Sequence, residues 1–596
     1  MGTCSGWLRA SGEVVRACGG RADGMDDVDR QVVKGMAQGQ EVVLGAMIKR
    51  GGRVGSIRSI RSALAGSVAE NAEVLEAYVV YCTRKDASGY ALVGVVWDAV
   101  RRRTAEDAAA VQAQVQARLF AFYMESMVTN TARKEAPSLD DIDCFAGVLG
   151  SLTAAQIEGE FAPAAVKMAK RSPEVSMAVA CHGLGAMAGA GLDLSGCGEA
   201  LVELVVQQAK HGKETVRALA AEMMAALARG TRDPGVVGGY GETVRDALLD
   251  KGAGKLKSPQ ERGSMATVLG AVLQGRCCGE SAAATTVPEG ICQMIDGEAM
   301  ADIKVILIST LRMWLEAAKA TGATKPASFG KVAQAALAGP EPVRRAMLAL
   351  MADQCDMGRE FSASLVKFAQ DGAQKAAARW DGLLAASCLL SAELGMSSEV
   401  DATGVLSKDT CPFLQMEGLK GLSGEDAARA ACFAHRLLAV DPHPSGMSSG
   451  CKRDACDVLV LYALHYDATV RRSATSYIKS LCKDGRLALE MLASLRSACD
   501  DGRTIDFVNP KPAEVAVSAH AVHERFLTVL IECVPRGVSR MPAEVAVAIC
   551  VLAHHPMVSR ARGATSAWAS VLASCGDGSN GTGQLIVESI KADVEG

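Results

Sequence analysis

Glu214-Thr215-Val216-Arg217-Ala218-Leu219-Ala220-Ala221-Glu222-Met223-Met224 is the stretch on which the fold turns, because its opening recurs twice at a fixed distance. Glu341-Pro342-Val343-Arg344 follows 127 residues on, and Ala468-Thr469-Val470-Arg471 another 127 after that. Behind each valine the apolar residues fall at +3, +4, +7 and +8. The first set is Leu219, Ala220, Met223 and Met224, and the second is Ala346, Met347, Leu350 and Met351. In the third, Ser473 takes the +3 place ahead of Ala474, Tyr477 and Ile478. That spacing is one face of a 3.6-period helix and excludes a strand. Three repeats of about 42 residues fill each gap, which is the length of a helix-pair repeat.

The punctuation between the stripes agrees. Arg171-Ser172-Pro173-Glu174 carries the Ser cap and first-turn Pro of a helix start. Ser258-Pro259-Gln260-Glu261 adds a Glu at the capping-box place. First helices are thus expected from residues near 173, 213 and 258. Farther on, Ile303, Ile306, Leu307, Leu311, Trp314 and Leu315 predict one long helix with a continuous buried face. The expected fold is all-α, an α-solenoid of stacked antiparallel helix pairs of the HEAT/armadillo type. Residues 1–30 read as a disordered extension, 31–160 as a helical segment of divergent repeats, 161–575 as the solenoid, and 576–596 as a flexible or truncated end.

Composition narrows what such an array can do. A single compact core stops growing near 250–300 residues, so 596 residues demand several domains or an extended array. Only 4% of the residues are aromatic, which suits close helix packing more than a deep ligand pocket. The 63 basic and 67 acidic residues leave a net charge of −4, against the strong basicity of a protein that wraps nucleic acid. The 20 cysteines form no Cys-x-x-Cys pair, and most sit inside apolar stripes, as buried free thiols of a reducing compartment would. No run reaches the 18 apolar residues of a membrane helix.

Sites of chemistry are missing from the sequence. His554-His555 point about 100° apart on a helix, and His520 and His523 have no matching ligand pair elsewhere. Gly183-Leu184-Gly185-Ala186-Met187-Ala188-Gly189 has the wrong spacing for a phosphate loop and no strand before it. The expectation is a non-enzymatic protein without cofactor or metal. Two sets of charges stand out instead. Arg217, Arg344 and Arg471 flank the repeat seam and are expected to hold inter-repeat register by pairing with carboxylates, with Val216, Val343 and Val470 as the structural repeat positions. Lys49, Arg50, Arg53, Arg58 and Arg61 lie in a stretch without an acid from Val42 to Ala69, followed by Arg101-Arg102-Arg103. These five form the candidate contact to ribosomal RNA or another polyanion.

Several fragments, in order, resemble the N-terminal region of the large HEAT-repeat activator of the general amino-acid control kinase, which phosphorylates translation initiation factor 2. They are Arg171-Ser172-Pro173-Glu174 with Leu192-Asp193-Leu194-Ser195, then Lys255-Leu256-Lys257-Ser258. Glu341-Pro342-Val343-Arg344-Arg345-Ala346 and Asp467-Ala468-Thr469-Val470-Arg471-Arg472-Ser473-Ala474 follow. The last is Leu552-Ala553-His554-His555-Pro556 ahead of Trp568. Order and spacing agree from about residue 160 to 572. The resemblance implies a cytoplasmic scaffold that associates with stalled ribosomes and promotes kinase activation under amino-acid starvation. Family members are several times longer. Their segments for the kinase and for an ABC-type partner lie beyond Gly596, so the chain is expected to be a fragment or a truncated form. The alternative is a helical-repeat adaptor, such as a transport receptor or assembly factor, unrelated to translation.

Overall fold

The computed structural model describes residues 2–19, 25–49, 54–84, 90–104, 108–130, 137–250, 256–275, 286–319, 325–391, 410–415, 424–440, 447–483, 487–501, 519–535 and 542–561, with isolated positions at 419, 422, 485 and 564. The chain divides into two units, Met1–Ala335 and Ala336–Gly596. Among the described residues every regular element is helical.

The first unit contains α1 (Gly2–Gly19), α2 (Asp27–Lys49), α3 (Val54–Ala69), α4 (Ala72–Cys82), α5 (Val93–Arg102), α6 (Ala108–Tyr123), α7 (Leu139–Asp143), α8 (Ala146–Leu149), α9 (Ala154–Gln156) and α10 (Ala162–Ala169). It continues with α11 (Pro173–Gly189), α12 (Gly198–Gln208), α13 (Glu214–Gly230), α14 (Pro234–Leu249), α15 (Pro259–Ala271), α16 (Val287–Gly297) and α17 (Ala301–Lys319). One layer runs α1, α3, α5, α8, α11, α13, α15, α17, each packed on the next. In the other layer α2 meets α4, and α10, α12, α14 and α16 follow one another. Each helix thereby buries one stripe between its layer neighbours and the facing layer, which is how a repeat array builds a core without a centre. Helix α18 (Phe329–Leu337) spans the boundary between the units.

The second unit holds α19 (Glu341–Asp353), α20 (Ser362–Gln374), α21 (Arg379–Leu389), α22 (Gly424–Ala439), α23 (Ser449–Ala463), α24 (Ala468–Cys482), α25 (Ala488–Asp500), α26 (Ala519–Glu532), α27 (Ala543–His554) and α28 (Pro556–Ser559). Here α19, α21, α22, α24 and α26 form one succession, and α23, α25 and α27 the other. The fold is therefore the all-α, HEAT-type stacking of helix pairs that the Val-Arg recurrence predicts.

The seam is as spaced, with a shift of weight. Val216, Val343 and Val470 are buried, as are the +4 and +8 residues Ala220, Met224, Met347, Met351, Ala474 and Ile478. The +3 residues Leu219, Ala346 and Ser473 are only half-buried, so they flank the seam. In α17, Trp314, Leu307 and Leu311 are buried, whereas Ile306 is half-buried. Ser258 realises the full capping box with Glu261. Ser172 precedes its first-turn Pro but makes no side-chain cap bond.

One expectation needs correcting. Residues 1–30 read as a disordered extension, yet α1 occupies 2–19 and α2 starts at Asp27. Leu8, Ser11 and Val15 recur at helical spacing and are buried against α2 and α3. Within that contact Gln40 donates to Ser11 Oγ at 2.9 Å, and Tyr78 donates to Gln40 Oε1 at 2.7 Å. The stripe is short and mixed with Gly, Ser and Arg, which hides it in the sequence. The expected end at 576–596 lies outside the described residues.

At one crossing the helices touch backbone to backbone. A Cβ on Gly372 of α20 would stand 2.6 Å from the Cα of Gly382 of α21, and one on Gly382 would stand 2.7 Å from Gly372. Any side chain at either place would drive the two helices apart.

Candidate functional site

The structure divides the basic stretch. Lys49 is exposed at the end of α2, where Glu41, Asp140 and Asp141 share the lining of a 260 Å³ cavity with it. Arg50 and Arg53 lie outside the described residues. Arg61 is half-buried; its guanidinium covers Gly94 of α5 and donates to Cys144 Sγ at 3.4 Å.

Arg58 is exposed and joins a second group that the fold brings to it. Helix α3 packs on α5, and Arg102 of α5 donates to the carbonyl of Ser62 at 2.7 Å and to its hydroxyl at 2.6 Å. Ser62 is one helical turn beyond Arg58. Arg101, beside Arg102, is also exposed, and neither Arg58 nor Arg101 makes an ion pair among the described residues. Asp98, one turn ahead on α5, is the acid nearest along that helix. Arg102 thus reaches Ser62 on the helix that carries Arg58, because consecutive first-layer helices pack side by side, and Arg58 and Arg101 stand exposed on these two adjoining helices.

The repeat arginines do something different from what their spacing suggests. Arg217 donates Nη1 to the carbonyls of His211 and Gly212, each at 3.0 Å, and Nε to Ser264 Oγ at 3.0 Å. Arg471 donates Nη1 to the carbonyls of His465 at 2.7 Å and Tyr466 at 2.6 Å. Arg344 donates Nη1 to Gly339 O at 3.4 Å and pairs through Nε with Asp381 Oδ2 at 2.9 Å. The shared act is therefore a reach backward, five or six residues, to carbonyls that the preceding helix leaves unpaired. Only Arg344 adds the inter-repeat carboxylate expected of all three. A guanidinium has five donors in a rigid fork, so one side can close the turn while the other touches the next repeat.

A histidine completes two of these turns and was invisible as a motif. The Nδ1 of His211 accepts from the Lys213 N–H at 3.1 Å, and that of His465 from the Asp467 N–H at 3.1 Å. Each stands six residues before its arginine. His555 repeats the act at the start of α28, accepting from the Met557 N–H at 3.2 Å. His555 is itself the N-cap of its helix, whereas His211 and His465 cap the turn just ahead, holding the N–H of the N-cap residues Lys213 and Asp467; in each case Nδ1 is the acceptor. Burial holds His465 down at about 4, with Asp467 opposing and Arg471 and Arg525 reinforcing the shift. The signal available in the sequence was the spacing His-x5-Arg at 211–217 and 465–471.

Among the described residues no three His, Cys, Asp or Glu side chains gather as metal ligands would, and no helix is long and apolar enough to cross a membrane. The described cysteines are free thiols, and Cys181, Cys388, Cys482 and Cys550 are buried while Cys432 is half-buried.

Three likenesses bear on this arrangement. Residues 116–256, from α6 to just beyond α14, match the family described as stalled ribosome sensor GCN1 N-terminal. Protein ILITYHIA of Arabidopsis thaliana is 25% identical over 458 residues, covering 72% of this chain and 16% of that relative. The chain thus spans about a sixth of the length of the curated relative it matches. Importin beta, crystallised in an ammonium sulfate condition, aligns over 98% of this chain and 89% of its own at 10% identity and a TM-score of 0.33. So loose a likeness assigns nothing. The family match at residues 116–256 overlaps the stretch, from about residue 160 onward, in which the colinear fragments run.

Proposed function

We propose that this chain is a non-enzymatic scaffold of the translation-stress response, cytoplasmic and ribosome-associated, whose helical array helps activate the initiation factor 2α kinase on stalled ribosomes under amino-acid starvation. The observation that carries the reading is the match of residues 116–256 to the N-terminal region of a stalled ribosome sensor. The exposed Arg58 and Arg101 on the adjoining helices α3 and α5 support it, because solvated guanidinium groups that make no ion pair among the described residues neutralise phosphates at little desolvation cost. Kinase engagement and the ABC-type partner are read from the resemblance and belong with segments that the relatives carry elsewhere.

The experiment is co-sedimentation with ribosomes across a salt series. The wild-type chain should pellet with ribosomes at low salt and dissociate as salt rises. Replacing Arg58 and Arg101 with Gln should lower the slope of log K against log salt by about 1.5, at roughly 0.7–0.9 per phosphate contact. A chain that stays in the supernatant at every salt concentration would reject the ribosome reading. An unchanged slope in the double variant would move the contact elsewhere on the surface.

A further inference from the structure

Helices α11, α13, α15 and α17 of the first unit line an open groove of about 860 Å³. Its floor is made of small residues, among them Ala186, Ala221, Ala225 and Gly270, while Ile306 and Met313 of α17 stand along one side. Met313 is 40% exposed there, an apolar side chain left in water by its own repeat. A floor of Ala and Gly lets another backbone approach to the short end of the usual 8–10 Å between packed helices.

Two charges mark the groove on α13, Glu222 and Arg229, seven residues apart. Both are exposed, and both have neutral partners: the Cys181 thiol donates to Glu222 Oε2 at 3.7 Å, and Arg229 donates to Gln274 Oε1 at 2.8 Å. Seven residues of helix put the two charges about 10 Å apart along the axis. A helix 10–12 Å wide fills about 120–170 Å³ per residue, so the groove volume corresponds to roughly five to seven residues, or about two turns. Volume and charge spacing agree on the same length. The fixed pair also has a direction. Glu222 complements the positive N-terminal end of a helix and Arg229 the negative C-terminal end.

We propose that this groove docks a two-turn amphipathic helix of a partner protein, with a basic residue over Glu222, an acidic residue over Arg229 and an apolar stripe between them against Ile306 and Met313. The docking is independent of the ribosome reading and of the exposed arginines on α3 and α5.

A displayed library of 14-residue alanine-based helices, randomised on one face, is selected against the full chain, and the selected peptides are measured by fluorescence anisotropy. The expected winners carry Lys or Arg early and Glu or Asp about seven positions later. They should bind at least tenfold more weakly to Ala221→Trp, which fills the floor, and about fivefold more weakly to Glu222→Lys, whose exposed position leaves the fold intact by circular dichroism. Exchanging the peptide's basic residue for Glu should restore binding to Glu222→Lys. The proposal fails if no peptide is selected, if winners lack the charge pair, or if they bind both variants as they bind wild type. It also fails if the face proves to be occupied by a second copy of the chain, seen as a dimer that Ala221→Trp dissociates, or by single-stranded RNA that Arg229→Glu releases.

Discussion

Arg344 and Arg58 stand on helices of the same kind of array, yet one is consumed by the fold and the other is left to solvent. Arg344 closes the turn behind it and neutralises Asp381, whose side chain is 4% exposed. Arg58 makes no ion pair among the described residues and is exposed. The difference teaches that charge in a repeat protein is sorted by what the preceding turn leaves unsatisfied. An arginine one residue past the seam valine finds bare carbonyls five and six residues back. Arg58, the fifth residue of α3, makes no ion pair among the described residues and stays exposed. Arg217 and Arg471 fall between these extremes, with neutral acceptors in place of a buried acid.

The largest effect should come from Arg344→Ala. It removes the closer of the two guanidinium groups on Asp381, with Arg345 Nε remaining at 3.3 Å. Breaking a buried pair from one side costs about 3 kcal/mol, read from urea unfolding of the second unit. A loss under about 1 kcal/mol would mean that Arg345 suffices and that the contrast with Arg58 is overdrawn.

Next comes the histidine cap. His465 is held at about 4 against an ordinary value near 6.5, so the unfolded chain binds its proton first as pH falls. The stabilisation is complete above about pH 6.5 and is lost as pH drops toward 4. At about 1.4 kcal/mol per unit, roughly 2–3 kcal/mol should disappear across that window. His465→Asn keeps an acceptor for the Asp467 N–H but does not titrate, so its stability should vary less with pH from 7 to 4.5. Parallel curves for the two proteins would rule the cap out as the source.

Arg217→Ala and Arg471→Ala should each cost about 1.5 kcal/mol, since what is lost is a set of charge-assisted hydrogen bonds to carbonyls that water can partly replace. Finding Arg217→Ala as costly as Arg344→Ala would erase the distinction drawn between neutral and acidic partners. The smallest effect belongs to Arg58→Gln with Arg101→Gln, expected within about 0.5 kcal/mol in stability. A larger loss would turn those residues from a docking surface into part of the fold.

Much of this was legible in the residues. The helix class, the burial of Val216, Val343 and Val470 and the helix starts near 173, 213 and 258 follow from periodicity and caps, which are local. The exposed arginines were half legible, because Arg58 and the Arg101-Arg102-Arg103 run stand out singly while their placement on adjoining helices depends on α3 packing on α5. The acids that share a cavity lining with Lys49, Asp140 and Asp141, could not be read beside it, since they are about 90 residues away in sequence. The carbonyl-closing role of the repeat arginines escaped for a different reason: backbone acceptors carry no residue identity, so only the position of the preceding helix end reveals them. The first helix was missed because its stripe of Leu8, Ser11 and Val15 is short and includes a serine whose cross-helix partner, Gln40 of α2, is 29 residues away in sequence.

The contact of Gly372 with Gly382 bears on how the second unit sets its helix spacing. Elsewhere the seams are lined by Ala, Leu and Met, whose side chains can change rotamer and let neighbouring helices slide a little under tension. Two bare backbones in contact have nothing to rearrange. The spacing of α20 and α21 at this crossing is therefore set by backbone alone, with no rotamer to adjust it.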